Sequence, residues 1–125
     1  MVTEILLADK SEFMRGVLRE VLDEAFVVLD SEATDGEEAV ALYREHEPEI
    51  VVMEIAMPRC NGLKATAALR DFDPDARVVI CTHVTDDEMR EYAEQVGATA
   101  FITKPFERQA LIDTVKESVM TVGSP

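Results

Sequence analysis

The chain has 125 residues, which is close to the commonest size of one domain and is long enough to bury a hydrophobic core. Its 12 lysines and arginines stand against 26 aspartates and glutamates, and the resulting net charge of −14 argues against direct binding to nucleic acid or anionic membranes. Hydrophobic residues make up 47 %, which excludes a disordered acidic tail. Because no apolar run could span a bilayer and the N-terminus lacks a signal-peptide pattern, we expect a cytoplasmic domain.

The acidity itself has two explanations. Acidic residues are spread along the whole chain, which favours a strongly solvated surface such as proteins of a salt-rich cytoplasm carry. The alternative is a basic partner that the acidic surface attracts.

Five short apolar runs alternate with five amphipathic stretches. The predicted strands are 5–8, 26–29, 50–53, 78–81 and 100–102. All of them except the second are continuous apolar runs, which is typical of strands buried on both faces, whereas the second fades into polar residues and predicts an exposed edge strand. Apolar residues at helical spacing predict helices around 13–25, 39–43, 63–69, 89–96 and 111–119, of which the second ends before Pro48 and the third before Pro74.

This order of elements predicts an α/β fold. Strands separated by helix-length connections favour one parallel five-stranded sheet with helices on both faces, a three-layer sandwich. We expect residues 1–122 to form one domain and residues 123–125 to be a tail or the start of a linker.

Chemically active side chains follow four of the five predicted strands. Each of them taken singly is an ordinary polar loop residue, but the carboxyl ends of parallel strands meet at one edge of the sheet, where ligands bind in such folds. The residues are Asp9 and Lys10 after the first strand, Glu54 after the third, Thr82 and His83 after the fourth, and Lys104 after the fifth.

These residues and their surroundings resemble the receiver domain of two-component response regulators. The resemblance is carried in order by 5–9, 33–39, 53–58 with Gly62, 81–82, 97–98 and 101–106. It implies a flavodoxin-like fold with strand order 2-1-3-4-5. It also implies a signalling module of a phosphorelay that is not an enzyme.

The resemblance assigns roles to individual positions. In the family, two adjacent acids after the first strand hold Mg²⁺ and an aspartate after the third accepts a phosphoryl group, while a Ser or Thr and a Lys bind the phosphoryl oxygens. Asp9, Thr82 and Lys104 match this pattern. Lys10 replaces the second acid, and Glu54 replaces the phospho-accepting aspartate.

Both departures disfavour phosphorylation. Two carboxylates facing Lys10 and Lys104 predict a nearly neutral site, so Mg²⁺ binding at Asp9 should be weak or absent. The extra methylene of Glu54 moves its carboxylate by about 1 Å, which can cost about a hundredfold in rate. His83 stands where the family usually has a small residue and could cover the site.

Three interpretations follow. In the first, a pseudo-receiver, Glu54 reaches toward Thr82 and Lys104 roughly as a phosphorylated aspartate would, and Lys10 supplies the charge of the missing cation. In the second, the site is degenerate and Lys10–Glu54 is a structural salt bridge. In the third, the domain is a phosphorylation-competent, Mg²⁺-dependent receiver that uses the Glu54 carboxylate. A phosphohydrolase or flavin protein is disfavoured because no glycine-rich phosphate loop follows the first strand.

The resemblance also implies a switch and a partner surface. Phe101, together with Thr82, matches the family's switch residues, and the peptide bond before Pro105 is a candidate for the cis form. The face made by the fourth helix, fifth strand and fifth helix, about 86–120, would bind a protein partner. A histidine kinase is a further expected partner, and we expect a monomer or a weak dimer.

Overall fold

A computed structural model describes residues 3–120 as five strands alternating with five helices. The strands are β1 (Glu4–Ala8), β2 (Val27–Ala33), β3 (Ile50–Met53), β4 (Val78–Thr82) and β5 (Ala100–Thr103). The helices are α1 (Glu12–Leu22), α2 (Gly36–His46), α3 (Gly62–Phe72), α4 (Asp87–Gln95) and α5 (Arg108–Met120). The tail predicted at 123–125 lies outside the described residues.

All strand pairs are parallel, and the strand order is β2-β1-β3-β4-β5, as expected. Alternate residues of one strand point to opposite faces: Leu6 and Ala8 belong to the core shared with α2, α3 and α4, whereas Ile5 and Leu7 belong to the core shared with α1 and α5. Both faces are therefore buried, which explains why the inner strands are continuously apolar.

Four of the helices begin with a capping side chain that accepts a hydrogen bond from the first turn. Such a cap stabilises the helix and also fixes the short loop between the preceding strand and the helix. The capping residues are Ser11, Asp35, Asn61 and Asp86.

Several predicted bounds differ from the structure, and two of the differences have a clear physical reason. β2 continues to Ala33, because a strand at the sheet edge tolerates polar residues, and its pairing with β1 shifts register between Ile5 and Leu7. α1 ends at Leu22 rather than reaching Ala25, which is exposed, since the backbone turns there and the Ala25 N–H bonds to the Leu22 carbonyl.

Candidate functional site

Four buried polar residues meet at the carboxyl edge of the sheet: Asp9, Glu54, Thr82 and Lys104. Thr82 ends β4, and each of the other three lies one residue beyond its strand. Their backbone N–H groups still bond to the neighbouring strand: Asp9 to Ala33, Glu54 to Ala8, and Lys104 to Thr82. The sheet therefore fixes the backbone from which each side chain extends.

The ammonium group of Lys104 lies between the two carboxylates. Its Nζ is 2.6 Å from Asp9 Oδ2 and 2.9 Å from Glu54 Oε1, and all three side chains are at most 6 % exposed. Such short, charge-assisted contacts are about twice as strong as neutral hydrogen bonds. Lys104 is thus the cation that holds the site together.

The remaining contacts of Glu54 come from the backbone and from Thr82. Glu54 Oε2 accepts from the N–H groups of Ile55 at 2.7 Å and of Ala56 at 3.4 Å. The Thr82 hydroxyl lowers the pKa of the same carboxyl and itself accepts from the N–H of Val84 at 3.2 Å. Donors from the end of β5 and from the loop after β3 therefore converge on one carboxylate.

These contacts determine the charge states. Burial on its own would raise the pKa of Glu54, but the hydrogen bonds from Thr82 and Lys104 and the Lys104 charge outweigh it, so the pKa lies below its usual value. Burial would likewise lower the pKa of Lys104, but its bonds to Asp9 and Glu54 outweigh that effect and raise the pKa. The pair is therefore ionised at neutral pH.

Lys10 does not take part in this cluster. Its side chain is exposed and makes no ion pair or hydrogen bond with any residue between 3 and 120. The predicted Lys10–Glu54 salt bridge was wrong, and so was the idea that Lys10 supplies the missing cation charge, because Lys104 already occupies both carboxylates. The buried cluster consequently carries one net negative charge rather than none.

The other predicted site residues are not members of this buried cluster. His83 follows Thr82 and is exposed, and its role as a cover of the site stays a prediction. Phe101 is half-buried, and the Arg90 guanidinium lies 4.5 Å from the centre of its ring. Its role as a switch is likewise untested. The Lys104–Pro105 peptide is cis, as the resemblance implied.

The loop that carries Glu54 is packed tightly against the start of α3. The N–H of Gly62 bonds to the Ile55 carbonyl at 2.8 Å, and a Cβ at position 62 would lie 2.0 Å from the carbonyl oxygen of Glu54. Backbone atoms cannot yield as a flexible side chain can. Glycine is therefore required here for close approach.

Gly62→Ala should destabilise the domain by about 3 kcal/mol, the upper part of the range for overpacking, since the clash is with backbone. Gly16→Ala is the matched control, because a Cβ there meets nothing within 4 Å in the exposed interior of α1. It should stabilise by about 1 kcal/mol. Urea unfolding of both variants checks the pair, and equal effects would contradict the close approach at Gly62.

Sequence reasoning missed two residues that are connected to the site, one directly and one through the other. Arg15 of α1 donates to the backbone carbonyl of Asp9, and Glu32 of β2 binds Arg15. The second strand was expected to contribute nothing comparable to the other four. The sequence did contain one indication of an acidic partner for α1: Arg15 and Arg19 are four residues apart and therefore lie on one face of the helix.

The donor set suits a divalent metal poorly. Mg²⁺ in proteins takes oxygen ligands in near-ideal octahedral geometry, usually from carboxylates, phosphates and water. Only two carboxylates face each other in the site, both bound to Lys104, and no group of three Asp, Glu, His or Cys residues among 3–120 is arranged to hold a metal. The residues present therefore do not fit the ion.

Residues 5–116 match the response regulator receiver domain family, and the chain belongs to that family. Receiver domains are signalling modules that generally bind Mg²⁺ in an acidic pocket. Within the part of the chain that the structure describes, no helix has the length and hydrophobicity needed to cross a membrane.

Among its relatives, the chain is similar to the chemotaxis protein CheY of Halobacterium salinarum, with 41 % identity over 94 % of this chain and 97 % of the relative. Protein CcdB of Bacillus subtilis is 40 % identical over 91 % of this chain and 95 % of that protein. A solved CheX–CheY–BeF₃–Mg²⁺ complex from Borrelia burgdorferi gives a TM-score of 0.90 at 27 % identity, covering 95 % of this chain and 90 % of that one. The predicted resemblance and fold are confirmed.

Proposed function

We propose that this receiver domain signals through a conformation held by the Glu54 contacts and carries out little or no phosphoryl transfer. The observation that supports this most is that the Glu54 carboxylate is already held by Lys104 and by the backbone. Lys104 and two backbone N–H groups donate to it, and Thr82 lowers its pKa. In the family, the corresponding Thr and Lys bind the oxygens of the phosphoryl group, so the longer Glu54 side chain places its own oxygens among the same donors.

The same contacts weaken Glu54 as a nucleophile. Attack on a phosphoryl donor needs a carboxylate lone pair free to approach the phosphorus atom. Here the hydrogen bonds lower the basicity of Glu54, and the ammonium of Lys104 lies 2.9 Å from the reacting oxygen. Attack by Oε1 would have to weaken this buried ion pair, which is costly unless the incoming group replaces the lost contact.

We further propose that Mg²⁺ binding is weak or absent. Asp9 retains the position of a metal ligand, but Lys10 stands where the family has its second acid. An ion at Asp9 would have to displace Lys104 from its 2.6 Å contact. This domain would therefore be a metal-independent receiver.

A phosphorylation-competent receiver remains the second candidate. It is favoured by the adjacency of Glu54, Thr82 and Lys104, which is the arrangement that the family uses for transfer. In this case, a histidine kinase or small phosphodonor would form an acyl phosphate on Glu54.

For the partner surface, we propose the face of α4, β5 and α5. Tyr92 is 46 % exposed and Met89 is also exposed, whereas Phe106 packs on the core and Arg108 is paired with Glu24. The accessible apolar side chains of this face are therefore on α4 and, with Met120, at the end of α5. An exposed tyrosine and methionines suit a protein partner. A monomer or weak dimer in the cytoplasm, without nucleic acid, fits this proposal.

Titration of the wild-type domain with Mg²⁺ by calorimetry, followed by incubation with acetyl phosphate, tests the proposal. We expect no saturable Mg²⁺ binding at millimolar concentration and no mass increase of one phosphoryl group. The CheY of Borrelia burgdorferi, solved with BeF₃ and Mg²⁺, is the positive control. Metal binding together with an acyl phosphate on Glu54 would instead establish the second candidate.

A further inference from the structure

Arg15 connects the edge strand to the site. Its Nε is 2.8 Å from Glu32 Oε1, and its Nη1 donates to the backbone carbonyl of Asp9 at 2.7 Å. The Arg15 side chain is only 12 % exposed, so these contacts are largely protected from water. One guanidinium therefore bridges a side chain of β2 and the main chain at the end of β1.

Arg19 holds the other end of this network. Its Nη2 donates to Glu32 Oε2 at 2.8 Å and to the Leu29 carbonyl at 2.6 Å, where the shift of register has changed the pairing of β2. Glu32 thus uses one oxygen for each arginine. Burial would raise the pKa of Glu32, but the hydrogen bonds from Arg19 and Arg15 outweigh it and lower the pKa, so this carboxylate stays charged.

The contact with Arg15 completes the set of bonds that orient Asp9. The Asp9 N–H bonds to Ala33 of β2, its carbonyl accepts from Arg15, and its Oδ1 accepts from the N–H of Ser11 at 2.9 Å. With these groups fixed, Oδ2 is left to meet Lys104 at 2.6 Å.

We propose that Arg15 is a positioning residue, which fixes the main chain at Asp9 so that the Asp9 carboxylate holds Lys104. Glu32 in turn sets the position of Arg15. The proposal goes beyond the function proposed above, since it concerns the Asp9–Lys104 pair and holds whether or not Glu54 accepts a phosphoryl group.

Arg15→Met and Arg19→Met form a matched test, because both arginines lie on α1 and bind Glu32 but only Arg15 contacts the Asp9 carbonyl. The readout is the NMR signal of the Lys104 ammonium and the exchange rate of its protons in the full chain. A charged hydrogen bond corresponds to a factor of about ten or more in an equilibrium constant. We therefore expect about tenfold faster exchange in Arg15→Met and little change in Arg19→Met.

Unfolding by urea is measured alongside, so that loss of stability is separated from loss of position. Equal acceleration in the two variants, or none in Arg15→Met, would overturn the proposal. If Arg15→Met does not fold, Arg15→Lys replaces it, because an ammonium cannot span both acceptors as a guanidinium does, and the same faster exchange is expected. Neither metal nor phosphodonor is present, so the result is independent of the test for phosphoryl transfer.

Discussion

The double variant Lys10→Asp/Glu54→Asp is expected to gain Mg²⁺-dependent phosphorylation. Aspartate at position 10 places a second carboxylate next to Asp9, which gives the ion the acidic donors that it prefers. Aspartate at position 54 withdraws the carboxylate by about 1 Å, away from Thr82 and Lys104, and returns the nucleophile to the length used in the family. Incubation with acetyl phosphate should modify the double variant about a hundredfold faster than Lys10→Asp alone, which keeps the longer nucleophile.

The two single variants separate the causes. Lys10→Asp should tighten Mg²⁺ binding about tenfold or more, as measured by calorimetry, with little gain in modification. Glu54→Asp should restore the length of the nucleophile but not the metal site, so its modification by acetyl phosphate should remain slow. A folded double variant that neither binds Mg²⁺ nor accepts a phosphoryl group would show that the obstacle lies elsewhere, for example at His83 beside Thr82.

The inner part of the fold could be predicted from the sequence because burial leaves a simple pattern. Ile5, Leu6 and Leu7 face alternate sides of the sheet, and both sides are covered by helices, so the run is continuously apolar. The end of β2 left no such pattern. Its polar residues, such as Glu32, are stabilised by partners on α1 that local sequence does not reveal.

The site was predictable as a set of positions but not as a set of contacts. Topology places residues that follow parallel strands at one edge, and Asp9, Glu54 and Lys104 do meet there. A count of charges could not tell which ammonium group reaches the carboxylates. Lys104 does so from the end of β5, whereas Lys10 is exposed. The role of Arg15 depends on the position of Glu32 in β2. Glu32 follows the shift of register between β2 and β1, and no sequence motif predicts that shift.

Lys104→Met is expected to destabilise the domain by about 3 to 5 kcal/mol, since it leaves two buried carboxylates without a cation. Lys10→Met is the matched control, because it is the same substitution next to the site at an exposed residue without an ion pair among 3–120. The control should change the free energy of unfolding by no more than about 0.5 kcal/mol. Adding Glu54→Gln to Lys104→Met should recover part of the loss, because it removes one of the two unpaired charges.

The pH dependence of the free energy of unfolding distinguishes the loss of a buried cation from a simple packing defect. In the wild type, the lowered pKa of Glu54 contributes stability that is present above its ordinary value of 4.5 and lost as the pH falls through the folded-state pKa. The raised pKa of Lys104 contributes stability that is present below its ordinary value of 10.5 and lost as the pH rises through the folded-state pKa. Neither group titrates near neutrality, so between about pH 8 and pH 5 the pair contributes a constant amount.

In Lys104→Met the sign should reverse for Glu54. Without the ammonium, burial becomes the dominant influence and raises the pKa of this carboxyl, so the folded state binds a proton more readily than the unfolded state does. The variant should then become more stable, relative to the wild type, as the pH is lowered from about 8 to 5. Urea unfolding across this range measures the difference. A constant difference at every pH would mean that the lost stability comes from packing, and that Lys104 does not hold two charged carboxylates.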